Sequence, residues 1–115
     1  MELMFNKLVR DKIPEIIESN DEIPIIRILD NDEYRSELYK KLFEEVGEVV
    51  NASNKEDVLE ELADVLEVLR AIANLENMDI NDIIDIANQK RKKRGGFEKK
   101  IFLEKKLIND IEKDD

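Results

Sequence analysis

The chain contains no cysteine, no histidine and no tryptophan. Without cysteine there is no disulfide framework, and the expected compartment is a reducing cytoplasm. The joint absence of histidine and thiols removes the usual donors of zinc and copper sites and the usual partners of a Ser or Cys nucleophile. Aromatic residues make up only 5% of the chain, so its core must be aliphatic, built from Ile, Leu and Val. No apolar run approaches the length of a membrane span and no signal-peptide pattern opens the chain, so no membrane partner is expected. A phosphate-cradling glycine loop, internal repeats and low-complexity linkers are also missing. Positive charge is in deficit too: the net charge is −10, which argues against binding a nucleic-acid polymer, where phosphate neutralisation dominates. Small phosphorylated ligands remain compatible with that balance, through a metal and local basic clusters.

What is present is aliphatic and acidic in nearly equal measure. Charged and hydrophobic residues each account for 42% of the 115 residues, and the apolar ones recur with helical period, which fits exposed helix faces rather than disorder. A chain of this length is expected to be a single domain over residues 1–115. It buries only about two thirds of its unfolded surface, so assembly into a homodimer or homotetramer would help it.

The most organised stretch is Leu38 to Leu75. Leu38, Leu42, Val46, Val49 and Val50 share one helical face, with Glu45 and Glu48 at its edge. Val58, Leu62, Val65, Leu69 and Ile72 form a second stripe, with Glu61 and Asp64 beside it and Val68, Ala71 and Leu75 continuing below. Asn51-Ala52-Ser53-Asn54 is short enough to make the two helices antiparallel neighbours. The acid pairs would then face each other. Four carboxylates at a partly desolvated edge repel one another unless some take up protons or a cation joins them. All-oxygen ligation selects a hard cation such as magnesium, manganese or calcium. Glu45, Glu48, Glu61 and Asp64 are the expected ligands.

A solvated acidic ridge is the competing explanation. Acids number 29, so roughly seven acidic i,i+3 pairs should arise by chance, and one pair alone means little. The conjunction carries more weight: two pairs, on consecutive helices, across a short turn, each beside a core stripe. On the helical wheel Glu45 lies within about 20° of Leu38, inside the apolar arc, an unfavourable place for a lone charge.

In chain order, Lys7, Arg10 and Lys12 put three cations in an irregular segment. Asp11 reads as an N-cap, with Pro14 in the first turn of a short helix running to about Ser19. Ile23–Leu29 is β-branched and reads as extended, with Pro24 keeping it off a central strand. Asp30 with Glu33, Ser53 with Glu56, and Asp79 with Asp82 are capping-box-like starts for helices over Asn31 to Asn51, to about Asn77, and through Ile80, Ile83, Ile84 and Ala87. The last changes character at Lys90-Arg91-Lys92-Lys93-Arg94 and stops at Gly95-Gly96. Arg91 and Arg94 continue its stripe, so an inward direction is open to them. Lys92 and Lys93 fall outward. Phe97 to Lys105 is ambiguous: Ile101–Leu103 reads as a short extended segment open to pairing with Ile23–Leu29, and the rest as a short helix or a frayed acidic end.

Three segments in order carry a family resemblance. Glu44-Glu45-x-x-Glu48, then twelve residues, then Glu61-x-x-Asp64, resembles the metal-binding signature of the MazG-type all-α nucleoside triphosphate pyrophosphohydrolases. Lys7-Leu-Val-Arg-Asp-Lys-Ile-Pro14 and Arg94-Gly-Gly-Phe97 look like a subgroup often labelled phosphoribosyl-ATP pyrophosphohydrolase-like. The likeness spans Lys7 to about Leu103. It implies an all-α, antiparallel helical bundle that forms a dimer or higher oligomer, binds Mg2+ (Mn2+ as the alternative), and cleaves the α–β phosphate bond to release pyrophosphate, often as a house-cleaning enzyme. The Ser-Tyr-Thr segment and C-terminal end of the histidine-pathway enzymes are missing here. The expected substrate is therefore a nucleoside or modified-nucleoside triphosphate. Phosphoribosyl-ATP is the alternative substrate, and a non-catalytic metal- or nucleotide-binding helical oligomerisation module the alternative class. In the mechanism so implied, Glu44 or Glu48 is the base. Lys90 and Arg94, then Lys7, Arg10 and Lys12, hold the leaving pyrophosphate.

Overall fold

The structure is a computed structural model that describes residues 1–109. Four helices follow in order: α1 (Ile13–Ser19), α2 (Asn31–Asn51), α3 (Lys55–Leu75) and α4 (Ile80–Arg94). No strand forms among the described residues, so the architecture is all-α. The Ile23–Leu29 and Ile101–Leu103 segments carry no ladder pairing, and their isoleucines stand largely in the open. The chain divides into two compact units, Met1–Ile83 and Ile84 onward.

In the first unit, α2 and α3 form a helical hairpin across Ala52-Ser53-Asn54. Each helix begins where a short side chain replaces a missing backbone acceptor. The Asp30 carboxylate accepts from the Glu33 amide at 2.9 Å, and the Asn54 side-chain oxygen accepts from the Asp57 amide at 2.9 Å. Asn54, rather than the expected Ser53, therefore caps α3. Ser53 and Asn54 are both good cap residues, and Asn54 wins because its amide also reaches the Asp57 carboxylate at 3.0 Å. Glu33 turns its own carboxylate onto Arg27, at 2.8 and 3.2 Å, which anchors the segment before α2 to its first turn.

The expected Asp11 cap of α1 is also displaced. Ile13 donates its amide to the Arg10 carbonyl at 3.0 Å, a turn that takes up Asp11 and Lys12 and delays the helix to Ile13. Pro14 then sits in the first turn, where its missing N–H costs nothing.

Register places everything that follows. Leu38 and Val68 lie at equal distances along α2 and α3 from Ser53, and so do Glu45 and Glu61. Leu38 and Val68 are buried together with Ala73 and Ile80, so the core occupies the open end of the hairpin. Arg35 and Glu76 close that end with a 2.5 Å ion pair. The turn-proximal half is less covered: Val46, Val50 and Leu62, which the apolar periodicity points inward, are exposed.

In the second unit, α4 ends at Gly95, whose φ of 82° is the left-handed conformation that favours glycine. The Gly95 amide donates to the Arg91 carbonyl at 2.8 Å. Ile84 and Ile86 remain exposed here, as do all five cations Lys90–Arg94. The inward direction open to Arg91 and Arg94 is not taken: Arg91 pairs instead with Glu98, after the helix has ended.

Candidate metal centre

Glu45 on α2 faces Glu61 and Asp64 on α3, and one carboxylate oxygen from each lies within 4.8 Å of the others. All three residues are half-buried. The separation is about twice the 2.3–2.6 Å reach of a carboxylate oxygen to calcium, so small side-chain rotations bring the three donors around one hard cation. The set is all oxygen and all anionic, which fits such an ion and no soft one.

Glu48, the fourth expected ligand, is outside this trio. It lies one turn nearer the hairpin turn and is exposed, lining a shallow recess with Asn51, Ala52, Ser53, Asp57 and Glu61. Its charge still reaches Glu61. Desolvation raises the Glu61 carboxyl above its ordinary value, and the charges of Asp64, Glu48, Glu45 and Asp57 raise it further.

Helix energetics oppose the placement of Glu48. Glu48 sits in the last turn of α2, which holds no basic residue, so it meets the negative end of the helix dipole. Two cations already attend the cluster. Lys41 extends its ammonium to 3.6 Å from Glu44 and 3.9 Å from Glu45. Arg10 donates to the Asp64 carboxylate at 2.7 Å. Sequence reasoning overlooked Lys41, although its i,i+4 spacing to Glu45 was the available signal. It placed Arg10 among the substrate contacts and had no means of pairing it with Asp64, 54 residues away.

The other expected substrate contacts belong to both units. Lys7 holds its ammonium 5.8 Å from the centre of the Phe5 ring, and Lys12 is exposed at the start of α1. Lys90 is exposed on α4, and Arg94 lines a recess with Gly95, Gly96, Glu98, Lys99 and Ile101 in the second unit.

Residues 34–96 match the MazG nucleotide pyrophosphohydrolase domain, more than half of the chain. The chain belongs to that family. The matched span holds the whole hairpin from Tyr34 and all four acids, and it ends at Gly96. An uncharacterized protein of Mycolicibacterium smegmatis is 46% identical over 54 residues, covering 47% of this chain and 55% of that protein. The chain thus aligns with about half the length of this relative. No solved structure matches it. No helix among the described residues is long and apolar enough to cross a membrane.

Proposed function

We propose that this protein is a metal-dependent nucleoside triphosphate pyrophosphohydrolase that cuts the α–β bond of a canonical or modified nucleotide. The convergence of Glu45, Glu61 and Asp64 within 4.8 Å, inside the family-matched span, is the observation that supports it most directly. These three carboxylates, with Glu48 completing the set, would hold Mg2+ or Mn2+. Once bound, the ion would neutralise phosphate charge and lower the pKa of a water.

The chain's own groups supply the rest. Glu44 and Glu48, which flank Glu45 on α2, are the candidate bases outside the three converging acids. Glu48, exposed in its recess, would be the freer of the two to take a proton from the attacking water, since Glu44 shares its carboxylate with Lys41. Lys90 and Arg94, with Lys7, Arg10 and Lys12, would hold the negative charge that builds on the leaving pyrophosphate.

Assembly into a homodimer or homotetramer belongs to the same reading. Phe43, Val46 and Val50 fall on one face of α2, and Leu59, Leu62 and Leu66 on one face of α3, all exposed in the single chain. A symmetric partner would cover them. Light scattering that gave a stable 13.5 kDa species at micromolar concentration would overturn this part.

The activity is tested by incubating the protein with a panel of canonical and modified nucleotides, with Mg2+ or with chelator, and separating products by ion exchange. Monophosphate and intact pyrophosphate, only with metal, are expected. Diphosphate and orthophosphate would mean γ-bond cleavage and refute the mechanism. Turnover of phosphoribosyl-ATP alone would favour the histidine-pathway substrate. Metal binding with no turnover of any substrate would favour a non-catalytic module.

A further inference from the structure

We infer that Arg10 is a tethered stand-in for the metal: it holds the Asp64 side of the acidic cluster until a divalent cation displaces it. This rests on the metal-centre reading of Glu45, Glu61 and Asp64. The geometry points to it through three observations.

First, Arg10 donates through one guanidinium nitrogen to the same Asp64 that shares the converging trio, at 2.7 Å. A carboxylate oxygen engaged by a guanidinium has less to offer an incoming ion, and the two positive charges would repel each other across Asp64. Arg10 and the metal therefore compete. Second, the contact is weakly held. The side chains of Arg10 and Asp64 remain 59% and 41% exposed, so solvent screens their attraction and a doubly charged ion can replace it. Third, Arg10 can leave without disturbing the fold. It lies ahead of α1 in a stretch with no helix or strand, and its backbone bond is a single turn contact from Ile13 to its carbonyl.

Displacement leaves a planar, fully charged fork at the edge of a newly loaded cation site. A guanidinium is suited to engage phosphate oxygens there in a bidentate way, which a lysine cannot reproduce. Metal loading would thus also release a phosphate-binding group, so that Arg10 guards the empty site and serves the filled one. Lys41 does not share this role: its side chain is only 19% exposed and is fixed along α2 beside Glu44 and Glu45.

The test is calorimetric titration of the full chain with Mn2+ alone, without nucleotide, comparing wild type with Arg10→Ala, Arg10→Gln and Arg10→Lys. If Arg10 competes, the Ala and Gln variants bind Mn2+ about two- to fivefold more tightly, as expected for loss of an exposed pair. That gain should shrink at high salt. Arg10→Lys, which keeps the charge, should bind Mn2+ like wild type and raise KM in nucleotide assays. Unchanged or weaker Mn2+ binding in both neutral variants would overturn the inference and make Arg10 a prop for Asp64. Were wild type itself to bind no Mn2+, the metal-centre reading would fall and this inference with it, a result distinct from the first.

Discussion

Lys41 places its ammonium 3.9 Å from the Glu45 carboxylate, and the two side chains are only 19% and 15% exposed. A covered carboxylate needs a counter-charge, and in the metal-free protein Lys41 is the cation within reach. The order along the helix, Lys before Glu, is the weaker orientation for an i,i+4 pair, so the interaction serves the cluster more than the helix. Replacing Lys41 by Met keeps the aliphatic stem and removes the charge. The metal-free variant should lose about 0.5–1 kcal/mol of stability, measured by thermal or urea unfolding in chelator. Saturating Mg2+ should narrow the gap, since the ion then supplies the missing charge. A gap that Mg2+ leaves unchanged would assign Lys41 to packing alone.

Glu61 gives the cluster a pH signature. Its carboxyl is raised by desolvation first and by the neighbouring acids second. A raised acid holds its proton in the folded chain over an interval where the unfolded chain has already lost it, so stability falls as pH rises through that interval. Above the folded-state value the full cost is present. Metal-free Glu61→Gln should therefore melt above wild type at neutral pH, and the advantage should vanish at acid pH, where both chains would carry a protonated Glu61. Lower stability of Glu61→Gln at neutral pH would show a structural role instead. Metal affinity should run the opposite way to the proton, weakening as pH falls and Glu61 protonates.

The hairpin was largely legible because its rules are local. Asp30 starts α2 by a contact three residues long, and apolar period with a short turn is enough to set Glu45 opposite Glu61. Glu48 was harder. Its i,i+3 spacing from Glu45 marks it as a neighbour along α2, but the antiparallel register puts it one turn closer to Ser53, beside Asp57 rather than in the trio. The periodicity of Val46, Val50 and Leu62 is likewise real, yet a stripe does not reveal whether its cover belongs to the same chain. Nothing local marks Arg10 as the partner of Asp64, because that contact depends on where the turn before α1 leaves the chain.

Gly47 is an energetic oddity just before the last turn of α2, between Glu45 and Glu48. A Cβ added there would meet nothing within 4 Å, so the single chain has no steric need for glycine at this position. Gly47→Ala should then stabilise the isolated chain by about 0.5–1 kcal/mol through helix propensity and a less flexible unfolded state. Unfolding at low protein concentration measures that gain. If the same substitution lowers stability at high concentration or shifts the assembly toward monomer, the open space at Gly47 is filled by a second copy.

The cations of α4 separate a specific charge contact from a diffuse field. Lys90, Arg91, Lys92, Lys93 and Arg94 are all exposed, but their surroundings differ: Arg91 is occupied by Glu98, and Arg94 lines the recess with Gly95 and Gly96. Under the proposed mechanism, Lys90→Ala or Arg94→Ala should cut triphosphate turnover by on the order of 10²-fold, the scale of losing one contact to charge that develops in the transition state. Lys92→Ala and Lys93→Ala should change it little. All four lose one positive charge, so a purely long-range field predicts four similar, salt-sensitive losses. Initial rates for the four variants at two ionic strengths distinguish these cases. Equal effects that disappear at high salt would remove Lys90 and Arg94 from the pyrophosphate site and leave the basic end of α4 a role in attracting the substrate only.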